Sequence, residues 1–321
     1  MSRTLTRRSF VTATAWGLGL LATPAARPGP ESPPRRKFTL ALSCDAAGVA
    51  ASPREAIDLA ARFGFEAVEP SIAFLQGLSG DETAALLGTL KDLKLVWAAS
   101  GLPVEFRGAE AAYQDSLKRL PAQAGALQKA GVTRVATWLT PTSRTLTYVS
   151  NFRQHARRLR EVARVLADHG LRLGLEYVGP KTSWTAGRYP FIHTMAEMKE
   201  LLAEIGCPNV GFLLDSWHWY TAQETVQDLL SLRGADVVCC HINDAPKGVP
   251  VDQQVDNRRD LPAATGVIDL KGFLGTLARI GYDGPVLAEP FRPDLRRMPR
   301  DEALALVAES VKKAAALASR I

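Results

Sequence analysis

The 321-residue chain is sparing in cysteine and methionine, with four of each, and holds five histidines. No CxxC pair and no Cys/His spacing points to a structural zinc site. Cys239 and Cys240 are neighbours in an apolar run, where a strand turns them to opposite faces, so buried free thiols are expected there. Glycine-rich phosphate loops of the GxGxxG or GxxxxGK type are missing after the first candidate strand, Phe38–Ser43. That absence argues against a doubly wound nucleotide-binding sheet. Membrane-length apolar runs are missing too: Phe10–Ala22 falls well short of the roughly 20 residues that span a bilayer, and no later segment approaches that length. Strong charge is absent as well. The 39 basic and 33 acidic residues give +6, but Arg3, Arg7 and Arg8 lie in the first 26 residues, which leaves 36 against 33, or +3, for the rest. So thin a surplus is a weak case for nucleic-acid binding, which normally needs a clustered basic face.

What is present begins with an export signal. Residues 1–26 place Arg7-Arg8-Ser9-Phe10 before a short apolar stretch and end in Ala25-Ala26, the layout of a twin-arginine signal peptide. No cysteine follows to carry a lipid. Residues 27–36 are proline-rich and read as an extended linker, and residues 37–321 as one catalytic domain. The expectation is a soluble protein, periplasmic or otherwise outside the cytoplasm, with no stable membrane anchor.

From residue 37 onward, short β-rich runs alternate with longer helical patterns. Candidate strands are Phe38–Ser43, Glu66–Glu69, Leu95–Ser100, Arg134–Leu139, Arg172–Tyr177, Val210–Asp215, Val237–His241 and Pro285–Glu289. The helical stretches between them include Glu224–Leu232, and several end at a glycine stop: Gly64, Gly131, Gly170, Gly206 and Gly281. Eight such units match the rhythm of a (β/α)8 TIM barrel.

Parallel barrel strands are buried, so charged residues within them need a reason. Here they collect at the carboxyl-terminal ends: Glu176, Asp215, His241 and Glu289 each end an apolar run on four consecutive strands. A single such residue often caps a helix or pairs with an arginine. Four in register on the rim where barrel enzymes keep their chemistry point instead to one divalent cation. Three oxygen donors with one imidazole suit Mn2+ or Mg2+ first, with Co2+ or Zn2+ compatible. Around them, His218, Asp244, Glu69, Arg258, Arg259 and Trp138 are candidates for binding substrate, and Asp244 also for orienting His241. Trp184, Trp217, Trp219 and Tyr220 fall in rim loops and suit a sugar-like ligand. His155, His169 and His193 lie in or beside helical patterns, where surface placement is the default.

These residues resemble the sugar phosphate isomerase/epimerase family, the xylose-isomerase-like TIM barrels, over roughly residues 38–320. Gly174-Leu175-Glu176-Tyr177, Asp215 with His218 three residues on, His241 with Asp244, and Ala288-Glu289-Pro290 carry the likeness. The resemblance implies a metal-dependent isomerase or epimerase of a keto-sugar or polyol, working through an enediolate. Glu176 and Glu289 would serve as the acid/base pair, and His218 and Arg259 would hold substrate hydroxyls. The family also includes lyases and dehydratases, so β-elimination or hydration of a keto-sugar or oxidised glycoside is the alternative, and a non-catalytic sugar-binding barrel ranks behind both. Phosphodiester-cleaving relatives need more histidine ligands than this chain places at its rim. One departure stands out: Leu261–Asp269 replaces the Pro-Gly-Glu-Gly-like turn of many relatives. The expected partner is a small sugar, with no nucleic acid, and a homo-oligomer is compatible with this reading.

Overall fold

The computed structural model describes residues 36–318, so the expected signal segment and all but the last residue of the linker lie outside the described residues. Eleven strands follow in chain order: β1 (Thr39–Leu42), β2 (Ala67–Val68), β3 (Val96–Trp97), β4 (Ser100–Gly101), β5 (Arg134–Trp138), β6 (Thr142–Ser143), β7 (Arg172–Glu176), β8 (Tyr189–Pro190), β9 (Val210–Asp215), β10 (Val237–Ile242) and β11 (Pro285–Ala288). Nine form one sheet in the order β3-β2-β1-β11-β10-β9-β7-β5-β4. All neighbours in it are parallel. Its two ends are halves of a single stave: β3 pairs with β2, β4 pairs with β5, and Ala98-Ala99 alone separate them. The ring thus closes as eight staves, the barrel expected from the sequence. β6 and β8 pair separately, antiparallel.

Local chemistry sets the element bounds. Glu66 was expected to open the second strand; instead its carboxylate accepts from Leu40 N (2.9 Å) and pairs with Arg36 (2.8 Å), and the strand starts at Ala67. The helix expected over Glu224–Leu232 shrinks to Val226–Leu230, because Thr225 and Asp228 build a capping box at its start. All five glycines expected to stop helices adopt φ between 66° and 79°. Short rim helices at Ile72–Gln76, Lys181–Trp184 and Ser216–Thr221 went unread, since so few residues show no helical period.

Strand alternation divides the core in two. Inside the barrel lie small clusters: Ala41, Ala67, Ala98 and Leu287 in one, and Ala99, Leu213 and Cys239 in another. Outside lies the large cluster between sheet and helices, which contains Cys240. The adjacent cysteines do face opposite ways, and all four are free thiols. The interior positions matter because each functional side chain stands two residues beyond one of them: Glu176 after Gly174, Asp215 after Leu213, His241 after Cys239, Glu289 after Leu287. A period of two puts all four on the inner face, one layer above the packed floor.

His155 corrects the expectation of a surface residue. It is 3% exposed, set edge-on to Phe106 (5.5 Å between centroids) and close to Phe191 (4.9 Å), with Nδ1 2.9 Å from Asn151 O and no partner for Nε2 among the described residues. His169 and His193 are half-buried. Burial lowers the His155 pKa to about 4, against roughly 6.5 in the unfolded chain. As pH falls, the unfolded chain takes the proton first. The folded state therefore loses up to roughly 3 kcal/mol between about pH 6.5 and pH 4 and nothing above that window. His155→Phe, which suits the same aromatic slot, is expected to flatten the urea-unfolding midpoint across this range; an unchanged slope would assign the acid sensitivity to other groups.

Candidate metal centre

The ends of β7, β9 and β10 and the residue after β11 bring Glu176, Asp215, His241 and Glu289 together, with one ligand atom from each lying within 4.8 Å of the others. Glu176 is 6% exposed and Asp215 fully buried. Asp215 Oδ1 accepts from Trp217 N (2.8 Å) and Asn243 Nδ2 (3.1 Å), and Oδ2 from Arg259 Nη1 (2.7 Å). Glu289 Oε2 accepts from Arg259 Nη1 (3.0 Å) and lies 3.3 Å from His241 Nδ1. Glu176 Oε1 differs from the rest. It is buried, has no hydrogen-bond donor among the described residues, and sits 3.8 Å from His241 Nδ1 and 3.9 Å from His218 Nε2. An orphaned carboxylate oxygen amid three further donors fits a cation whose ligand it would be.

The electrostatics follow from crowding. Burial, reinforced by Glu289 and Asp215, pushes the Glu176 carboxyl well above the usual range. Burial pushes Glu289 the same way, but His241 and Arg259 outweigh it and hold the group at about 2. His241 is raised because Glu289 overcomes the effect of burial. Burial lowers His218, which is therefore neutral near pH 7. Gly179 N–H donates to His218 Nδ1 (3.2 Å), and Nε2, which faces Glu176, lies 3.4 Å from Arg259 Nη2. Glycine is required here: a Cβ at residue 179 would lie 2.5 Å from His218 O.

A cavity of about 120 Å3 opens at the barrel mouth, with Glu69, Trp138, Glu176, His241 and Glu289 in its wall. Glu69 is pushed up by burial. Trp138 is 48% exposed and carries the Arg107 guanidinium 4.4 Å over its ring. Two expectations need correction. Asp244 neither orients His241 nor faces substrate, because its carboxylate accepts from five backbone N–H groups, those of Ala245, Thr265, Gly266, Val267 and Ile268. It is the clamp of the altered Leu261–Asp269 turn. Arg259 is 4% exposed and engages Asp215, Glu289 and Asp256 within the chain, so its guanidinium neutralises carboxylates instead of waiting for hydroxyls. Arg258 is exposed. The aromatic rim is also thinner than expected, since Trp217 and Trp219 are core residues, 0% and 5% exposed.

Three contributors escaped the sequence reading. Asn243 donates to both Asp215 oxygens and accepts from Glu289 N (3.1 Å). Its position two residues after His241, on the same strand face, was the available signal. Asp256 holds Arg259 from a loop that offers no periodicity. Glu224, raised to about 7 by burial, accepts from Tyr177 Oη and Met195 N (both 2.5 Å) and so braces the residue next to Glu176.

Residues 57–317 match the family described as xylose isomerase-like TIM barrel. The chain is 28% identical over 147 residues to the inosose isomerase of Bacillus subtilis (strain 168), covering 46% of this chain and 49% of that protein. It is 28% identical over 144 residues to the ketose 3-epimerase of Arthrobacter globiformis (43% of each). It is 30% identical over 142 residues to the 3-dehydroshikimate dehydratase of Pseudomonas aeruginosa (44% and 21%). The chain spans about half the length, or less, of these relatives. Among solved structures, a xylose isomerase domain protein from Alicyclobacillus acidocaldarius subsp. acidocaldarius aligns at TM-score 0.76 with 33% identity, covering 88% of this chain and 99% of that one. The IOLI protein, solved with a zinc atom, aligns at TM-score 0.73 with 19% identity, covering 87% and 98%, a likeness of fold.

Mn2+ or Zn2+ added to the purified protein is expected to raise its thermal midpoint by several degrees, and Glu176→Gln to abolish that rise. The rise should shrink as pH falls, because raised Glu176 and His241 must each release a proton to bind the ion. An equal shift in the Gln variant would place the ion elsewhere.

Proposed function

Because the chain belongs to the xylose isomerase-like TIM barrel family, we propose that it is a divalent-metal-dependent isomerase or epimerase of a keto-sugar or polyol. One observation carries the reading: four strand-end donors share a space 4.8 Å across, and the one without a hydrogen bond, Glu176 Oε1, sits beside a neutral histidine at the mouth of a cavity. The inosose isomerase and ketose 3-epimerase relatives support the same class. Glu176, Asp215, His241 and Glu289 would hold the cation, which when bound polarises a substrate carbonyl and offsets the charge that develops on its oxygen.

The chain's own residues supply the proton chemistry. Glu176 and Glu289 stand on staves separated by β9 and β10 and so approach a ligand from two sides. One carboxylate takes the proton from the carbon beside the carbonyl, which gives an enediolate. The other returns a proton to that carbon from the opposite face, and the carbonyl re-forms with the mass unchanged. His218 Nε2, 3.9 Å from Glu176 Oε1 and 3.4 Å from Arg259 Nη2, joins the polar wall around Glu176, and Trp138 offers an apolar face for ring carbons. Arg259 keeps Asp215 and Glu289 ionised and fixed in place.

A second reading shares the first step. If, after deprotonation, the second carboxyl gives its proton to the hydroxyl on the adjacent carbon, that C–O bond breaks, water leaves and a C=C bond forms, a β-elimination in line with the 3-dehydroshikimate dehydratase relatives. With residues 1–26 read as an export signal, we place either reaction outside the cytoplasm; no helix among the described residues is long and apolar enough to cross a membrane.

Purified protein with Mn2+ in D2O is expected to incorporate deuterium beside the carbonyl of at least one keto-sugar, inosose or oxidised glycoside in a broad panel. Glu289→Gln should slow that exchange at least about 100-fold. A product lighter by one water would select elimination. Absence of exchange across the whole panel would overturn the proposal.

A further inference from the structure

A second cavity, about 330 Å3, opens beside the metal centre between the segments that follow β1 and β2. Glu69 lines both this cavity and the one over the four donors, and so forms the wall they share. The cavity at the barrel mouth, about 120 Å3, is by itself smaller than the roughly 300–1,000 Å3 usual for small-molecule sites. The second cavity, at about 330 Å3, falls within that range.

The lining of the second cavity narrows what it would take. One side is polar, with Asp45 at the lip, the buried Glu69 carboxyl and the Ser71 hydroxyl; the other is apolar, with Leu42, Val68 and Pro53. Among the described residues, no lysine or arginine lines it. A phosphate or carboxylate would meet two acids and no cation there, which disfavours an anionic group. Paired acids opposite a CH-bearing wall suit a neutral, hydroxyl-rich ring: carboxyl oxygens bond its hydroxyls, and the apolar wall covers its carbon face.

We propose that this cavity is a second subsite for a neutral sugar ring, so that the substrate is a keto-sugar carrying a glycosyl substituent, with the keto-sugar unit over Glu176 and Glu289 and the substituent beyond Glu69. The proposal rests on the reading of the metal centre as a sugar site and adds the size and charge of its ligand.

Titration calorimetry on the full chain with Mn2+ tests it, using D-fructose and its O-glucosyl disaccharides as probes. At least one disaccharide is expected to bind about tenfold more tightly than fructose. Ala56→Trp, which fills the second cavity from the helix Pro53–Arg62, should erase that advantage while fructose affinity stays within about twofold, which also reports that the variant is folded. The smaller Ala51→Leu should reduce the advantage in part. Disaccharides that bind no better than fructose, or an advantage that survives both variants, would overturn the subsite. Deuterium exchange into the fructose unit is scored in parallel: binding without exchange would sink the proposed reaction for these probes and leave the affinity ratio to judge the subsite.

Discussion

Three carboxylates and an imidazole share a space at the barrel mouth in which their ligand atoms lie within 4.8 Å of one another. Two unit charges of like sign at about 4 Å repel by roughly 4 kcal/mol at the effective dielectric of a protein. That conflict organises the surroundings. Arg259 is drawn from a long loop into a position 4% exposed, where it bonds Asp215 and Glu289, and Asp256 anchors it from behind. Asn243 Nδ2 donates to both Asp215 oxygens, and its Oδ1 accepts from the Glu289 N–H. These contacts ease the repulsion around two of the three acids. Glu176, without a donor on Oε1, stays the unsatisfied member, and a divalent cation is the simplest group that would complete it.

The barrel supplies the rigidity this arrangement needs. Small residues fill its inner layers, with Ala41, Ala67 and Ala98 at three staves and Gly174 at a fourth. The Gly174 position is tight, since an added Cβ there would lie 3.2 Å from Val238 Cβ. The donors therefore stand on strand ends packed close together, with backbone positions fixed on both sides by parallel ladders. Segments beyond the strand ends contribute His218, through the short helix after β9 and held by Gly179, and Asp244, as the clamp of the turn before the helix Leu270–Arg279.

Much of this was legible in the sequence because it depends on periodicity. Apolar runs ending in one polar residue marked the strands, and a period of two, counted back from Glu176, Asp215, His241 and Glu289, places all four on one face. What stayed hidden depends on contacts that no local pattern records. Asp244 looked like a partner for His241 because it lies three residues on, yet β10 ends at Ile242 and the chain turns away, so its carboxylate meets the Thr265–Ile268 backbone instead. The family resemblance assigned Arg259 to substrate hydroxyls; the demand for positive charge among buried acids draws it inward onto Asp215 and Glu289. His155 sat in a helical pattern that looks amphipathic, and only the packing of Phe106 and Phe191 reveals it as a core residue.

The central claim is that a single cation is bound jointly by side chains from four consecutive staves. Anomalous diffraction from crystals grown with Mn2+ tests it most directly. The account predicts one peak at the barrel mouth within about 2.5 Å of oxygen or nitrogen atoms from Glu176, Asp215, His241 and Glu289. A peak bound by fewer than three of these residues, or none at the mouth with Arg259 still bridging Asp215 and Glu289, would contradict it.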